Sequence, residues 1–159
     1  LLVASGPPFD RRNDRLMAET VDAYPGKVVV CGGTTAQIVS RELGRPITAD
    51  LDDLDPEIPP TSRMEGVNLI TEGSITLDRV ATALTLQTDK SGLRKNAVSE
   101  LIDYFMNSDV IEFMVGTRVN QAHQDPTVPV EMDLRRNLMK RIAASLEERY
   151  LKETAVTYV

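Results

Sequence analysis

Short apolar runs alternate with longer amphipathic stretches along this chain. Leu1 to Ser5 is a continuous apolar run stopped by Gly6-Pro7-Pro8, the pattern of a buried strand. Beyond the polar Asp10 to Asp14, Leu16, Met17, Val21 and Tyr24 recur roughly on one side of a helix that Pro25-Gly26 ends. Val28 to Cys31 is a second buried strand. There Gly32-Gly33 permit a sharp turn, Thr34 and Thr35 offer capping hydroxyls, and a helix runs to Gly44, which reads as its left-handed terminator. Ile47 to Leu51 reads as a short strand and Gly66 to Glu72 as a longer one, with Thr76 as N-cap of a helix carrying Leu77, Val80, Ala81 and Leu84. Val98, Leu101, Ile102 and Phe105 fall at i, i+3, i+4, i+7, the stripe of a core-facing helix. Val110 to Val115 reads as a strand ending in Gly116-Thr117-Arg118. Pro129 leads into a long helix from Met132 to Tyr150 with Leu134, Leu138, Ile142 and Leu146 on one face, and Thr154 to Val159 reads as a last strand.

Strands alternating with helices in this order predict an α/β fold. The expected form is an open, mostly parallel sheet with helices on both faces, a Rossmann-like three-layer arrangement occupying residues 1–159 as one domain. The 159 residues suffice for a sizeable core, and 42% hydrophobic with 26% charged residues is the balance of a soluble globular chain without membrane insertion. A net charge of −6 argues against nucleic acid as a partner. The one basic cluster, Arg135-Arg136 with Lys140-Arg141, reads as a solvated helix face beside Glu147-Glu148. A single cysteine excludes a disulfide framework and points to a reducing, cytoplasmic compartment; at the end of an apolar strand, Cys31 reads as a small hydrophobe and not as a nucleophile. A strand beginning at residue 1, with no methionine before it, leads to the expectation of a piece of a longer polypeptide.

Candidate chemistry gathers where strands end. In open α/β sheets ligands bind outside the carboxyl ends of the strands. Ser5-Gly6, Gly32-Gly33-Thr34-Thr35, Glu72-Gly73-Ser74 and Gly116-Thr117-Arg118 would then share one rim. Backbone N–H groups at Gly32 to Thr35 and the following helix dipole suit an anion such as phosphate, although the same residues also make an ordinary strand-to-helix turn. Arg118 is placed to clamp an anionic group, Glu72 to accept from a hydroxyl or amide, and Ser74 and Thr117 to add hydroxyl contacts. His123, in the polar run Asn120 to Pro126, is the natural acid–base candidate, against the reading of a structural loop histidine. Asp50, Asp52, Asp53 and Asp55 form an acidic cluster that lacks the glycine and final glutamate of a calcium loop, and a solvated loop is the preferred reading. No catalytic or metal-ligating residue is assigned.

Gly6-Pro7-Pro8, Val30 to Ala36, Thr71 to Leu77 and Asn120 to Pro126 together resemble the C-terminal region of bacterial stage II sporulation protein E-like phosphatases, which are metal-dependent (PPM-type) serine/threonine protein phosphatases. The family's catalysis uses aspartates, one of them in an Asp-Gly pair, to hold two Mn²⁺ or Mg²⁺ ions and a nucleophilic water. This chain contains no Asp-Gly pair. The resemblance therefore implies an accessory, regulatory domain following a missing catalytic domain, inactive alone, with no cofactor of its own and Mn or Mg expected in the missing part. Its implied partner is its own N-terminal phosphatase domain; the strand-end rim adds a small anionic ligand as an expected partner, and a homodimer through the long helix from Met132 to Tyr150 and the last strand belongs to the alternative of an interaction module. The alternatives are an interaction or dimerisation module without ligand, and a small free-standing enzyme acting on a phosphate ester.

Overall fold

The computed structural model describes residues 1–51, 55–87, 95–118 and 128–159, the side chains of 128–133 excepted. His123, Asp52 and Asp53 lie outside the described residues. The elements are β1 (Leu2–Ser5), α1 (Asp14–Ala23), β2 (Val28–Cys31), α2 (Gly33–Leu43), β3 (Thr48–Ala49), β4 (Ser62–Met64) and β5 (Val67–Thr71). They continue with α3 (Ser74–Leu86), α4 (Ala97–Met106), β6 (Val110–Val115), α5 (Val128–Tyr150) and β7 (Glu153–Tyr158).

All the strands belong to one sheet of order β3-β4-β5-β2-β1-β6-β7. β5, β2, β1, β6 and β7 are mutually parallel, while β3 and β4 pair antiparallel at one edge. This is the expected open, mostly parallel α/β sheet in its doubly wound form, with the chain stepping outward from β1 first to one side and then to the other. The strands alternate their side chains between two cores. Leu2, Ala4, Val28 and Val30 join Met17 and Val21 of α1 and Ala36 and Val39 of α2. Val3, Val29 and Cys31 instead join Leu77 and Leu84 of α3, Leu101 and Phe105 of α4, and Leu138, Ile142 and Leu146 of α5. Burial on both faces is why these strands read as unbroken apolar runs.

Four local readings are corrected. The N-cap of α3 is Gly73, not Thr76, whose side chain is fully buried within the first turn. Thr34 and Thr35 do not cap α2, which begins at Gly33 behind Gly32 with no side-chain cap. Leu16 and Leu134 are exposed and not core positions, and Leu134 stands over the opening at the strand ends. α5 starts at Val128, so Pro129 falls in its first turn, where a missing N–H costs nothing. The pattern of apolar positions also gives no sign of β4, which turns into β5 through Glu65-Gly66, with Gly66 at φ +80°.

The acidic, proline-punctuated run is tied down by its own carboxylates. Asp55 accepts from the backbone N–H groups of Glu57 (2.9 Å) and Ile58 (3.2 Å) and from Asn96 Nδ2 (2.9 Å), while Asn96 caps α4 in a capping box. Asp50 faces Arg63 at 3.3 Å. Among the described residues no three His, Cys, Asp or Glu side chains assemble to hold a metal ion, and no helix is long and apolar enough to cross a membrane.

Candidate functional site at the strand ends

A cleft of about 310 Å³ opens at the carboxyl ends of β1, β2 and β5, on the side of the sheet covered by α3 and α5. Its floor is Ser5, Gly6 and Cys31, and its walls are the turn Gly32 to Thr35, the segment Glu72 to Ser74, and Leu134 and Arg135 of α5. Gly32 has φ +118°, a conformation that only glycine adopts comfortably, and it swings the chain from β2 into α2. A Cβ placed on Gly33 would meet nothing within 4 Å, so this residue leaves open space above the start of α2.

The two helices that begin at this cleft differ in one respect. α3 carries its own anion: the Glu72 carboxylate accepts the Ile75 N–H at 3.0 Å. At α2 Gly32 supplies no side chain, and the N–H groups of Gly33 and Thr35 donate to no acceptor among the described residues. The first N–H groups of a helix cannot be satisfied within it and carry partial positive charge. Arg135 reinforces this polarity from the opposite wall, with Nη1 donating to Gly116 O at 3.3 Å. The cleft thus has an electropositive end at α2 and an acidic corner at Glu72.

Cys31 lies on the floor, one residue before the turn. Burial pushes its thiol from 9.0 up to about 12, against a hydrogen bond with Thr71 and with a small further push from Glu72. A helix N-terminus ordinarily lowers a neighbouring thiol. Here desolvation wins, so Cys31 stays a neutral thiol, in keeping with its place at the end of an apolar strand.

Gly32, Gly33, Thr34, Thr35, Glu72 and Ser74 are brought together in this cleft, whereas Thr117 and Arg118 do not line it. The end of β6 is closed off by contact: Gly116 packs directly on the backbone of Gly6 and Pro7. Thr117 is used to hold β7, donating from both its N–H (2.9 Å) and its hydroxyl (3.0 Å) to Val159 O. Arg118 turns to the start of α1, where Asp14 receives it at 3.3 Å and Arg41 at 2.8 Å, so its clamp closes on a carboxylate of the chain itself. Arg135 and Leu134, read from sequence as a solvated face and a core position, are the cleft residues that were missed. Nothing in their i+4 spacing tells that α5 extends over the strand ends.

Compared with protein-family models, curated proteins and solved structures, the chain finds no match. What its fold and site define is a doubly wound α/β domain with a glycine-walled cleft at its strand ends.

Proposed function

We propose that this domain binds a small phosphate-bearing ligand in the strand-end cleft and serves as the regulatory domain of a larger serine/threonine phosphatase of the stage II sporulation protein E-like kind. The observation that supports the ligand is the asymmetry between the two helix starts: Glu72 accepts at the start of α3, whereas at α2 the N–H groups of Gly33 and Thr35 meet no acceptor among the described residues. A phosphate seated on the N–H groups of Gly33 and Thr35 would take the place that Glu72 takes on α3, and the acidic corner would accept a hydroxyl or amino group of the same ligand. The phosphatase parent rests on the resemblance of Gly6 to Pro8, Val30 to Ala36, Thr71 to Leu77 and Asn120 to Pro126. On this reading the two Mn²⁺ or Mg²⁺ ions and the water they activate belong to a catalytic domain outside this chain.

A thermal-shift screen with inorganic phosphate, sulfate and nucleoside monophosphates at millimolar concentration tests the ligand. A compound at about a hundred times its Kd should stabilise the fold by roughly 2.7 kcal/mol. Gly33→Val should leave the unliganded melting temperature nearly unchanged, because its side chain enters empty space, and should abolish the shift. Absence of any shift, or a shift that Gly33→Val leaves intact, sinks the ligand. The accessory role has a separate check. The chain alone should not turn over p-nitrophenyl phosphate with Mn²⁺, and turnover that survives rigorous purification would make it an enzyme in its own right.

A further inference from the structure

The two edges of the sheet are built differently. β3 offers only Thr48–Ala49, with Pro46 just before it. β7 offers six residues, Glu153–Tyr158, rich in β-branched side chains and lacking proline, lysine or a bulge. Edges of that length template further pairing, and folded chains ordinarily blunt them with the devices that β7 lacks.

The β6–β7 ladder fixes which backbone groups are open. The Glu153 N–H donates to Asp109 O at 2.9 Å and the Val159 N–H to Val115 O at 3.0 Å. In a parallel ladder alternate residues serve the same neighbour, so residues 153, 155, 157 and 159 bond to β6. Thr154, Val156 and Tyr158 therefore direct their N–H and C=O groups outward, where the described sheet has no further strand.

The helix above this edge carries opposite charges over the two ends of β7. Glu147 accepts from the Thr154 hydroxyl at 2.5 Å, which places it over the start of β7. The Arg136 guanidinium lies 5.2 Å from the centre of the Tyr158 ring, over the end of β7, and its buried Nε has no acceptor among the described residues. These two side chains cannot meet within one chain, being about 16 Å apart along the helix at 1.5 Å per residue.

We propose that the β7 edge is an interface that pairs with β7 of a second copy of this chain, antiparallel about a two-fold axis at Val156. That register sets Thr154 against the partner's Tyr158 and Val156 against the partner's Val156, forming about six new backbone hydrogen bonds from the outward groups. It also brings Glu147 over Thr154 to the partner's Arg136, once at each end of the interface, because an isologous contact is made twice. The only side-chain charge within the strand, Glu153, lies at the end of the ladder opposite the partner's Val159. This charge complementarity selects a second copy over an unrelated extended peptide, which would satisfy the backbone and leave Arg136 and Glu147 without counterparts.

Sedimentation equilibrium of the chain between 1 and about 100 µM, at low and high salt, tests the interface. The wild type should be dimeric, more weakly so at high salt. Arg136→Glu and Glu147→Arg should each raise the dimer Kd at least tenfold with unchanged far-ultraviolet circular dichroism, and the double variant should recover the dimer. Recovery is diagnostic, since no contact within one chain can be repaired by exchanging charges that far apart. Val156→Cys adds a readout independent of charge, because it should form a disulfide-linked dimer, its Cα lying about 5.5 Å from its counterpart. A wild type that stays monomeric at the highest concentration overturns the proposal. So does a dimer that ignores both charge reversals, a double variant that does not recover, or a dimer in which Val156→Cys fails to cross-link.

Discussion

Gly116→Ala is expected to lower the free energy of unfolding by at least about 3 kcal/mol, the range of severe overpacking. A Cβ on Gly116 would run into the carbonyl oxygens of Pro7 and Gly6 and the carbonyl carbon of Gly6. All three atoms are backbone, so no side chain can rotate away. Nor can the end of β6 retreat easily, because the N–H groups of Gly116, Thr117 and Arg118 are committed to Ser5 O, Val159 O and Pro7 O at 2.8, 2.9 and 3.2 Å. Urea unfolding should therefore show a midpoint far below wild type for Gly116→Ala. Gly33→Ala, whose new methyl group meets nothing, should stay close to wild type or slightly above it, given the helix preference of alanine. The Gly116 substitution also reaches the cleft, since Arg135 is held there by its bond to Gly116 O. A loss below about 1 kcal/mol would mean that the tight approach of β1 to β6 does not constrain the fold.

That contact also explains why part of the site was legible in the sequence and part was not. Strands buried on both faces, such as Val28 to Cys31, announce themselves as apolar runs, and glycines at their ends mark turns toward the rim. Gly32 to Thr35, Glu72 and Ser74 were readable on those grounds alone. Thr117 and Arg118 occupy the same position on their strand, yet β6 sits beside β1, where Gly6 and Gly116 press together and turn Thr117 and Arg118 away from the cleft. Which strands become neighbours is a long-range property that periodicity does not encode. β4 escaped for a different reason: Ser62-Arg63-Met64 has a single apolar residue and exists because β5 offers it backbone partners. Arg135 reads as surface by local charge, and only the overhang of α5 makes it a wall.

Between pH 9 and 12 the wild type should lose about 3 kcal/mol more stability than Cys31→Ala, with a slope approaching roughly 1.4 kcal/mol for each pH unit in the middle of that window. The sign is set by the direction of the shift. Burial raises the folded-state thiol from 9.0 to about 12, so the folded protein keeps a proton that the unfolded chain releases above pH 9. Stability from this source is complete below pH 9 and drains away as the pH climbs toward the folded value. Every other group is common to both proteins, so the difference between the two curves isolates Cys31. The alanine variant gives up some buried volume at every pH, which offsets its curve without changing the relative slope. Urea denaturation at half-unit pH intervals supplies the comparison. Parallel curves would mean that water reaches the cleft floor and that the thiol beside Gly32 behaves as an exposed one. A thiol-reactive reagent should agree with the curves, labelling the native wild type only at the rate at which the protein unfolds. Cleft ligands give the last check, because an anion seated on α2 would add negative charge beside Cys31 and hold its thiol protonated to still higher pH.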